Sequence, residues 1–586
     1  MKIGLGIGVT QPQNMPMASV GSPSYLFRDG TQGTWYDPSD TTTLYRDAAG
    51  TLPVTAVEQP VGLMLDKSKG LVLGSELVTN GDFSNGTTGW SAYNSASLSV
   101  NNGMLRVTNT AAAYGGCYQA VTTTVGKWYK FSVAFQKQTA TTVYFSLRQT
   151  SSDASHTIQI PSTDTSGVIN FYWYSTYATA YVNVQVNNAN GVYADFDNIS
   201  VRELPGNHAF NSSGNSANFP VLSARYNLLT KTEDFSDAVW TKQGSPVITP
   251  DTTVAPDGSL TADTLAISPS NYVYQSINIT AGVTYTLSCW VKVASGVNQF
   301  KLNAYGSGNN FTSDVKTATT NWQQFSFTFT SIASGATNLY AAIVDGLTGG
   351  NFYIWGADLR VANDALNQPA YQRVNTSTDY DTSGFKPYLK FNGTNQWLQT
   401  NSIDFSYGDK MFVCAGVRKL SDVATGILLE TSNAFDTTSG VISIAAPIDV
   451  GYKYGVTVRG TVVSAAPTTD SQYASPITNV LSGIGNISGD QAILRVNGVQ
   501  AAISTADQGT GNYGNYPLYI GARAGSSLWF NGRIYQLVVA GKQVPELSIQ
   551  LTEKYLNDKT AALDWRDVTD SSSFRWNSAT ASPDAS

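Results

Sequence analysis

The stretch that most limits what this chain can fold into is Leu518 to Leu556, "LYIGARAGSSLWFNGRIYQLVVAGKQVPELSIQLTEKYL". It reads as two strands followed by a short helix. Between Arg533 and Ala540, Tyr535, Leu537 and Val539 fall on one face and Ile534, Gln536 and Val538 on the other. One face is therefore wholly apolar and the other partly so, as in a strand buried on one side. Pro545 opens a helix at a position where its missing N–H costs nothing. Leu547, Leu551 and Tyr555 recur every four residues, a stripe expected to dock on the preceding sheet.

Upstream, "ILRVNGVQ" sets Asn497-Gly498 between two apolar runs, a strong hairpin signal because a type I′ turn needs positive φ at both central residues. "YLKFNGTNQWLQT" is a further strand, turn and strand. Together with "FNGRIYQLVV" and the closing helix, these motifs resemble the laminin G-like, concanavalin-type β-sandwich over Pro387 to Asp558. That resemblance implies a fold and no particular activity, because the same sandwich serves lectins, enzymes and structural modules.

The middle of the chain is duplicated with a period of about 150 residues. "NGDFSNGTTGW", "CYQAVTTTVGKWYKFSVAFQK" and "DFDNISVREL" in the first copy answer to "TEDFSDAVW", "VYQSINITAGVTYTLSCWVKV" and "YIWGADLRVAN" in the second. Phe83 matches Phe235, Trp90 matches Trp240, Tyr118-Gln119 matches Tyr274-Gln275, Gly126 matches Gly282 and Arg202 matches Arg360. In each copy one strand alternates cleanly: Tyr129, Phe131, Val133 and Phe135 share a face, as do Tyr285, Leu287, Cys289 and Val291. Short strands between turn signals, with no helical period, point to two-sheet sandwiches. Both copies resemble the jelly-roll carbohydrate-binding modules, with their "NGDFE…W" opening and "…DDVS" final strand.

The expectation is thus an all-β chain of tandem jelly-roll and sandwich domains, with a small turn-rich N-terminal region and one short C-terminal helix. Its divisions are an anchoring arm over 1–21, a collar over 22–75, the first jelly roll over 76–204 and a linker over 205–226. The second jelly roll over 227–363, a linker over 364–386, the laminin G-like sandwich over 387–562 and a polar tail over 563–586 follow. "MKIGLGIGVTQPQ" is Gly-rich and meets Gln11 and Pro12 at once, so it is not read as a secretion signal. Within the collar, "WYDPSDTTTLYRDAAGTLPVTAVEQPVGLMLDKS" resembles a segment recurring in structural proteins of tailed bacteriophages and prophages. The resemblance implies a virion setting, with synthesis in the host cytoplasm.

Charged residues make up 13% of the chain, against a usual ~25%, and the net charge is −7. No basic run interleaves with aromatics, so nucleic acid is not an expected partner, and no apolar run approaches the ~20 residues of a membrane span. Cys117, Cys289 and Cys414 are expected to be buried and reduced, one in each predicted domain. His156 and His208 lie in polar contexts and are expected on surface loops, neither near a candidate nucleophilic Ser or Cys, so no triad is expected.

Asp195 and Asp197 share a strand face, and the resemblance to the jelly-roll modules implies a structural calcium with Asp197 as a ligand. Asn198 and Ser84 stand where that pattern carries acids, so no other cofactor is expected and the calcium rests on Asp197. Trp397, Trp529, Tyr513 and Tyr516, in turn-rich parts of the sandwich, are the candidate sugar-stacking residues. The functional expectation is a non-enzymatic phage virion structural protein. Its form would be a tail fibre or spike-like appendage, anchored to other virion proteins through its N-terminal arm, homo-oligomeric with a trimer as the candidate state, that binds host-surface glycan. A head or tail decoration protein without ligand, and a polysaccharide depolymerase, are the alternatives.

Overall fold

The structure, a computed structural model, describes residues 22–561 apart from 112–113, 150–156, 161–162, 188, 345, 367–370, 433, 436, 450 and 463–466. The expected arm, the polar tail with Trp565 and Trp576, and His156 lie outside the described residues. Within them the chain is all-β, with one α-helix at Glu546–Thr560.

Both copies of the repeat are two-sheet jelly rolls. The first has two five-stranded antiparallel sheets, the second one of six strands and one of five. Strand Trp128–Gln136 sends Tyr129, Phe131, Val133 and Phe135 into the first core, and strand Thr284–Lys292 sends Tyr285, Leu287, Cys289 and Val291 into the second. The paired residues do the same work in both copies. The Gln119 amide accepts from Thr79 N–H at 2.7 Å and donates to Thr79 C=O at 2.9 Å; Gln275 does so with Thr230 at 2.9 and 2.8 Å. Trp90 Nε1 donates to Asn80 C=O, Trp240 Nε1 to Lys231 C=O, and the Tyr129 and Tyr285 hydroxyls accept from Thr124 and Thr280 N–H.

The C-terminal sandwich is built from three separated parts of the chain. Strand Gly33–Tyr36 pairs with Asn531–Ala540, Gln59–Pro60 pairs with Val221–Ser223, and Val221–Ser223 pairs with Tyr388–Asn392. In the opposing sheet Leu44–Tyr45, Leu63–Met64, Ala209–Phe210 and Leu398–Gln399 follow one another. The segments expected as a collar and a linker are therefore sandwich strands, and each jelly roll is an insertion into the sandwich. Each insertion begins and ends side by side: Gly74 N–H donates to Glu203 C=O at 2.8 Å, and Leu228 N–H to Leu359 C=O at 2.9 Å. These strands are two to four residues long, too short to show an alternation, and their partners lie far away in sequence.

Two finer expectations are corrected. In strand Asn531–Ala540 a bulge opposite Gly416 and Val417 shifts the alternation by one, so Ile534 joins Leu537 and Val539 in the core, while Tyr535 joins Tyr226 and Tyr388. On the helix, Leu547 is 61% exposed, and the buried face is Ile549, Thr552, Glu553, Leu556 and Thr560. Glu553 sets that face, receiving Arg495 Nε and Nη2 from the sheet beneath at 2.8 and 3.0 Å. From the other side the Tyr25 hydroxyl donates to Ser548 C=O at 2.6 Å.

All three cysteines are buried and unpaired. His208, expected on a surface loop, is fully buried; its Nδ1 accepts the Asp66 N–H at 3.0 Å and burial pushes it down to about 3. Asp66 is pushed up to about 6 by the same burial, against N–H donors from Asn207, Trp35 and Ser68. Where the second jelly roll leaves for the sandwich, Asp364 lies between Arg418 Nη1 at 3.2 Å and Arg533 Nη1 at 3.3 Å, and Asn363 Oδ1 accepts from Arg418 Nη2 at 2.6 Å.

Candidate functional site

The outer face of one sheet of the second jelly roll carries the site. In strands Tyr272–Ile279, Asn298–Gly306 and Gly335–Ile343 the inward positions are almost wholly apolar, because Val273, Phe300, Leu302, Ala304 and Leu339 fill the core. Alternation then forces Tyr272, Tyr274, Asn303, Tyr305 and Tyr340 outward. Register places Thr241, Tyr274, Tyr340, Asn303 and Thr312 in one row across the sheet.

These rows enclose a groove of about 420 Å³ whose lining includes Gln243, Tyr272, Lys301, Asn303, Tyr305 and Tyr340. The Tyr272 and Tyr340 rings lie 5.7 Å apart edge to face, and those of Tyr274 and Tyr340 lie 4.9 Å apart. Asn303 Nδ2 donates to Thr312 Oγ1 at 2.7 Å, and Tyr305 stands 54% exposed at the rim. Aromatic faces ringed by amides and hydroxyls, with one ammonium and no carboxylate among the lining residues, suit a hydroxyl-rich ligand with apolar ring faces.

Two other clefts are ion-paired. One of about 660 Å³ joins the opening of the second jelly roll to the hairpin after it, where Arg373 bridges Glu233 at 2.7 Å and Asp257 at 2.8 Å. Beside it Asp263 is pushed up to about 6 by burial, and its two oxygens accept the Phe235 and Asp251 N–H groups at 2.8 and 3.0 Å. The other, about 410 Å³, is flanked by Asp358 and Arg360, which pair with each other.

Of the sugar-stacking candidates of the sandwich, Trp397 and Tyr513 are buried, while Trp529 and Tyr516 are half-buried. Trp397 and Trp529 do share one cluster, around Tyr519, but Trp397 is only 7% exposed. Tyr513 is 2% exposed in the sandwich core and presents nothing to a ligand, and burial drives its phenol far above the ordinary range. Tyr516 is half-buried away from the tryptophans and donates to Ser439 C=O at 3.2 Å. Turn-rich composition placed these rings near loops, but it does not tell a ring over a surface from one plugging a core edge. The residues lining the groove were missed, although the polar and aromatic alternation of "YVYQSIN", "KLNAYG" and "TNLYA" is visible in the sequence.

Asp197 does not fit the expected calcium. Its Oδ1 accepts Asn198 N–H at 2.8 Å and its Oδ2 accepts Asn198 Nδ2 at 3.0 Å, while Asp195 is held by Arg106 through two 2.8 Å bonds. No three His, Cys, Asp or Glu side chains converge to hold a metal among the described residues, whereas calcium takes six or more oxygens.

Residues 227–346 match a family model described as "Carbohydrate binding domain". The matched stretch spans most of the second jelly roll and includes every residue named in the groove. No curated protein matches the chain. Among solved structures it is similar to the N-terminal CBM22-1-CBM22-2 tandem domain of Paenibacillus barcinonensis Xyn10C, at 13% identity over 49% of this chain and 98% of that one, with a TM-score of 0.22. It is similar to the CBM22-1-GH10 modules of Clostridium thermocellum Xyn10B at 18% identity, covering 23% of this chain and 28% of that one, TM-score 0.20. The enzymatically active domain of bacteriophage CBA120 tailspike protein 4 is similar at 13% identity, covering 22% and 21%, TM-score 0.19.

Proposed function

We propose that this chain is a non-enzymatic structural protein of a tailed-phage virion, a fibre or spike-like appendage whose jelly rolls bind host-surface glycan. The observation that carries the binding role is the tyrosine-lined groove of the second jelly roll, lying inside the stretch that matches a carbohydrate-binding family. The virion setting is supported by the phage-like segment from Trp35 to Ser68, whose strands belong to the scaffold that holds both jelly rolls. A single weak sugar site of Kd ~1 mM would contribute only about −4 kcal/mol, so firm attachment through such sites needs several copies acting together.

The test is retention of the full chain on an array of bacterial surface polysaccharides, compared with Tyr340→Ala. At least tenfold weaker retention of the variant is expected, and equal retention refutes the groove. Labelled antibody against the sandwich, imaged on intact particles, tests the setting: label at the tail tip supports an appendage, and label spread over the head supports decoration. The decoration reading draws support from Trp397 and Tyr513, which serve the protein's own packing. New reducing ends released from capsule or lipopolysaccharide would instead establish a depolymerase.

A further inference from the structure

The first jelly roll presents the same sheet face with different chemistry. Its register places Ser146 opposite Asn183 and Asn183 opposite Tyr118, as Asn303, Tyr340 and Tyr274 stand in the second copy. Two residues beyond Ser146, where the second copy has the exposed Tyr305, stands Arg148. Its side chain runs back across the face to Gln185, where Nη2 donates to Oε1 at 2.7 Å.

Arg148 is only 5% exposed, yet no carboxylate among the described residues pairs with it, and its Nε has no hydrogen-bond acceptor. Ser146 Oγ and Asn183 Oδ1, 1% and 0% exposed as residues, are also without partners on this face. The Tyr93 phenol, raised by burial, lies close enough to the guanidinium for Arg148 to pull it back down through its charge and a marginal hydrogen bond, but it is a neutral neighbour and not a counterion. Buried cations in folded proteins are normally paired, because removing a charge from water without a partner is costly. The planar guanidinium fork matches a carboxylate with two parallel bonds. Among the described residues the other buried arginines already have such partners: Arg360 has Asp358, Arg418 and Arg533 have Asp364, and Arg495 has Glu553.

We propose that this face of the first jelly roll binds an acidic, carboxylate-bearing glycan, with Arg148 receiving the sugar carboxylate while Tyr118 and Tyr93 flank the ring. The proposal rests on the glycan-binding reading and divides it: the second face takes neutral sugar and the first takes acidic sugar. The chain carries a net charge of −7, so a polyanion is not held by general attraction.

The test is affinity electrophoresis of the full chain through gels containing polygalacturonate, alginate, hyaluronate or polysialate. Carboxyl-reduced polygalacturonate and dextran sulfate serve as controls. Retention by at least one carboxylate polymer is expected, with at least tenfold weaker retention when carboxyls are reduced. Arg148→Gln should lose at least tenfold on the same polymer, while Lys542→Met, outside both faces, retains it. Equal retention by the reduced polymer, equal retention by dextran sulfate, or wild-type retention by Arg148→Gln overturns the proposal. If Arg148→Gln does not fold, the comparison of native with reduced polymer decides alone. Retention by none of the carboxylate polymers overturns this inference, and the second face is decided separately by the Tyr340→Ala comparison on the polysaccharide array.

Discussion

Replacing Asp364 by Asn tests whether the second jelly roll is held rigidly to the sandwich. The substitution keeps the size and an acceptor oxygen and removes only the charge. The carboxylate faces Arg418 and Arg533, and the three side chains are 4%, 0% and 10% exposed, so solvent screens the pairs little. At an effective dielectric of about 20, each charge pair near 4 Å contributes about 4 kcal/mol, part of which offsets desolvation. Without the carboxylate, two buried guanidinium groups lose their counterion, which costs about 3–5 kcal/mol. A unit of this size loses about 2–4 °C in Tm per kcal/mol, so calorimetry should show a drop of roughly 6–20 °C in one transition. A chain of several modules does not unfold in one step, so that transition is assigned by limited proteolysis near the junction. The comparator is Lys542→Met, which breaks the pair with Asp29, 60% exposed, and should change Tm by less than about 2 °C. A drop for Asp364→Asn no larger than the comparator's would refute the reasoning.

Three further outcomes are expected. A Cβ on Gly416 would lie 1.9 Å from Thr560 Oγ1, so Gly416→Ala should push the helix off the sheet at a cost of about 1–3 kcal/mol in urea titration, and Thr560→Ala should recover part of it. Burial pushes the thiol of Cys289 up to about 12 and those of Cys117 and Cys414 higher still, so a thiol reagent should label none of them in the native chain and all three in denaturant. His208 is neutral when folded and held near 3, below its unfolded value of about 6.5, so the unfolded chain binds the extra proton and stability falls as pH drops from 6.5 toward 3. His208→Asn should flatten that fall in thermal melts across pH 3–7. Asp66, raised to about 6, contributes in the opposite sense, losing stability as pH rises between 3.8 and 6, so the difference between wild type and His208→Asn, and not either curve alone, reads the histidine.

The parts legible in the sequence are those whose partners are close along the chain. The Asn497-Gly498 hairpin closes with positive φ at both residues, and the paired Trp90 and Trp240 make matching bonds, because each signal and its contact lie within about ten residues. The three-part scaffold was not legible: Leu63–Met64 meets Ala209–Phe210 only after an entire inserted domain, and two residues carry no period. The helix face was misread because its apolar spacing competes with one charged pair. Arg495 needs Glu553 under the helix, which rotates Leu547 into solvent. The groove was hidden for a different reason, since an outward tyrosine on a sheet reads as surface until the register lines it up with others.

Insertion changes what the two faces can do. A module tethered by one flexible linker samples many orientations, and a second weak site then gains from its neighbour only through a diffuse effective concentration. Here each jelly roll leaves and re-enters the scaffold through adjacent hydrogen-bonded segments, and the second is also tied by the Asp364 network, which restricts the direction of its face. A stiff polymer long enough to reach both faces would gain more from them, if both bind sugar as proposed, than a short oligosaccharide that reaches one. If the two faces read acidic and neutral sugar as proposed, their selectivity lies in the order of those sugars along a chain, a property that neither face alone can measure.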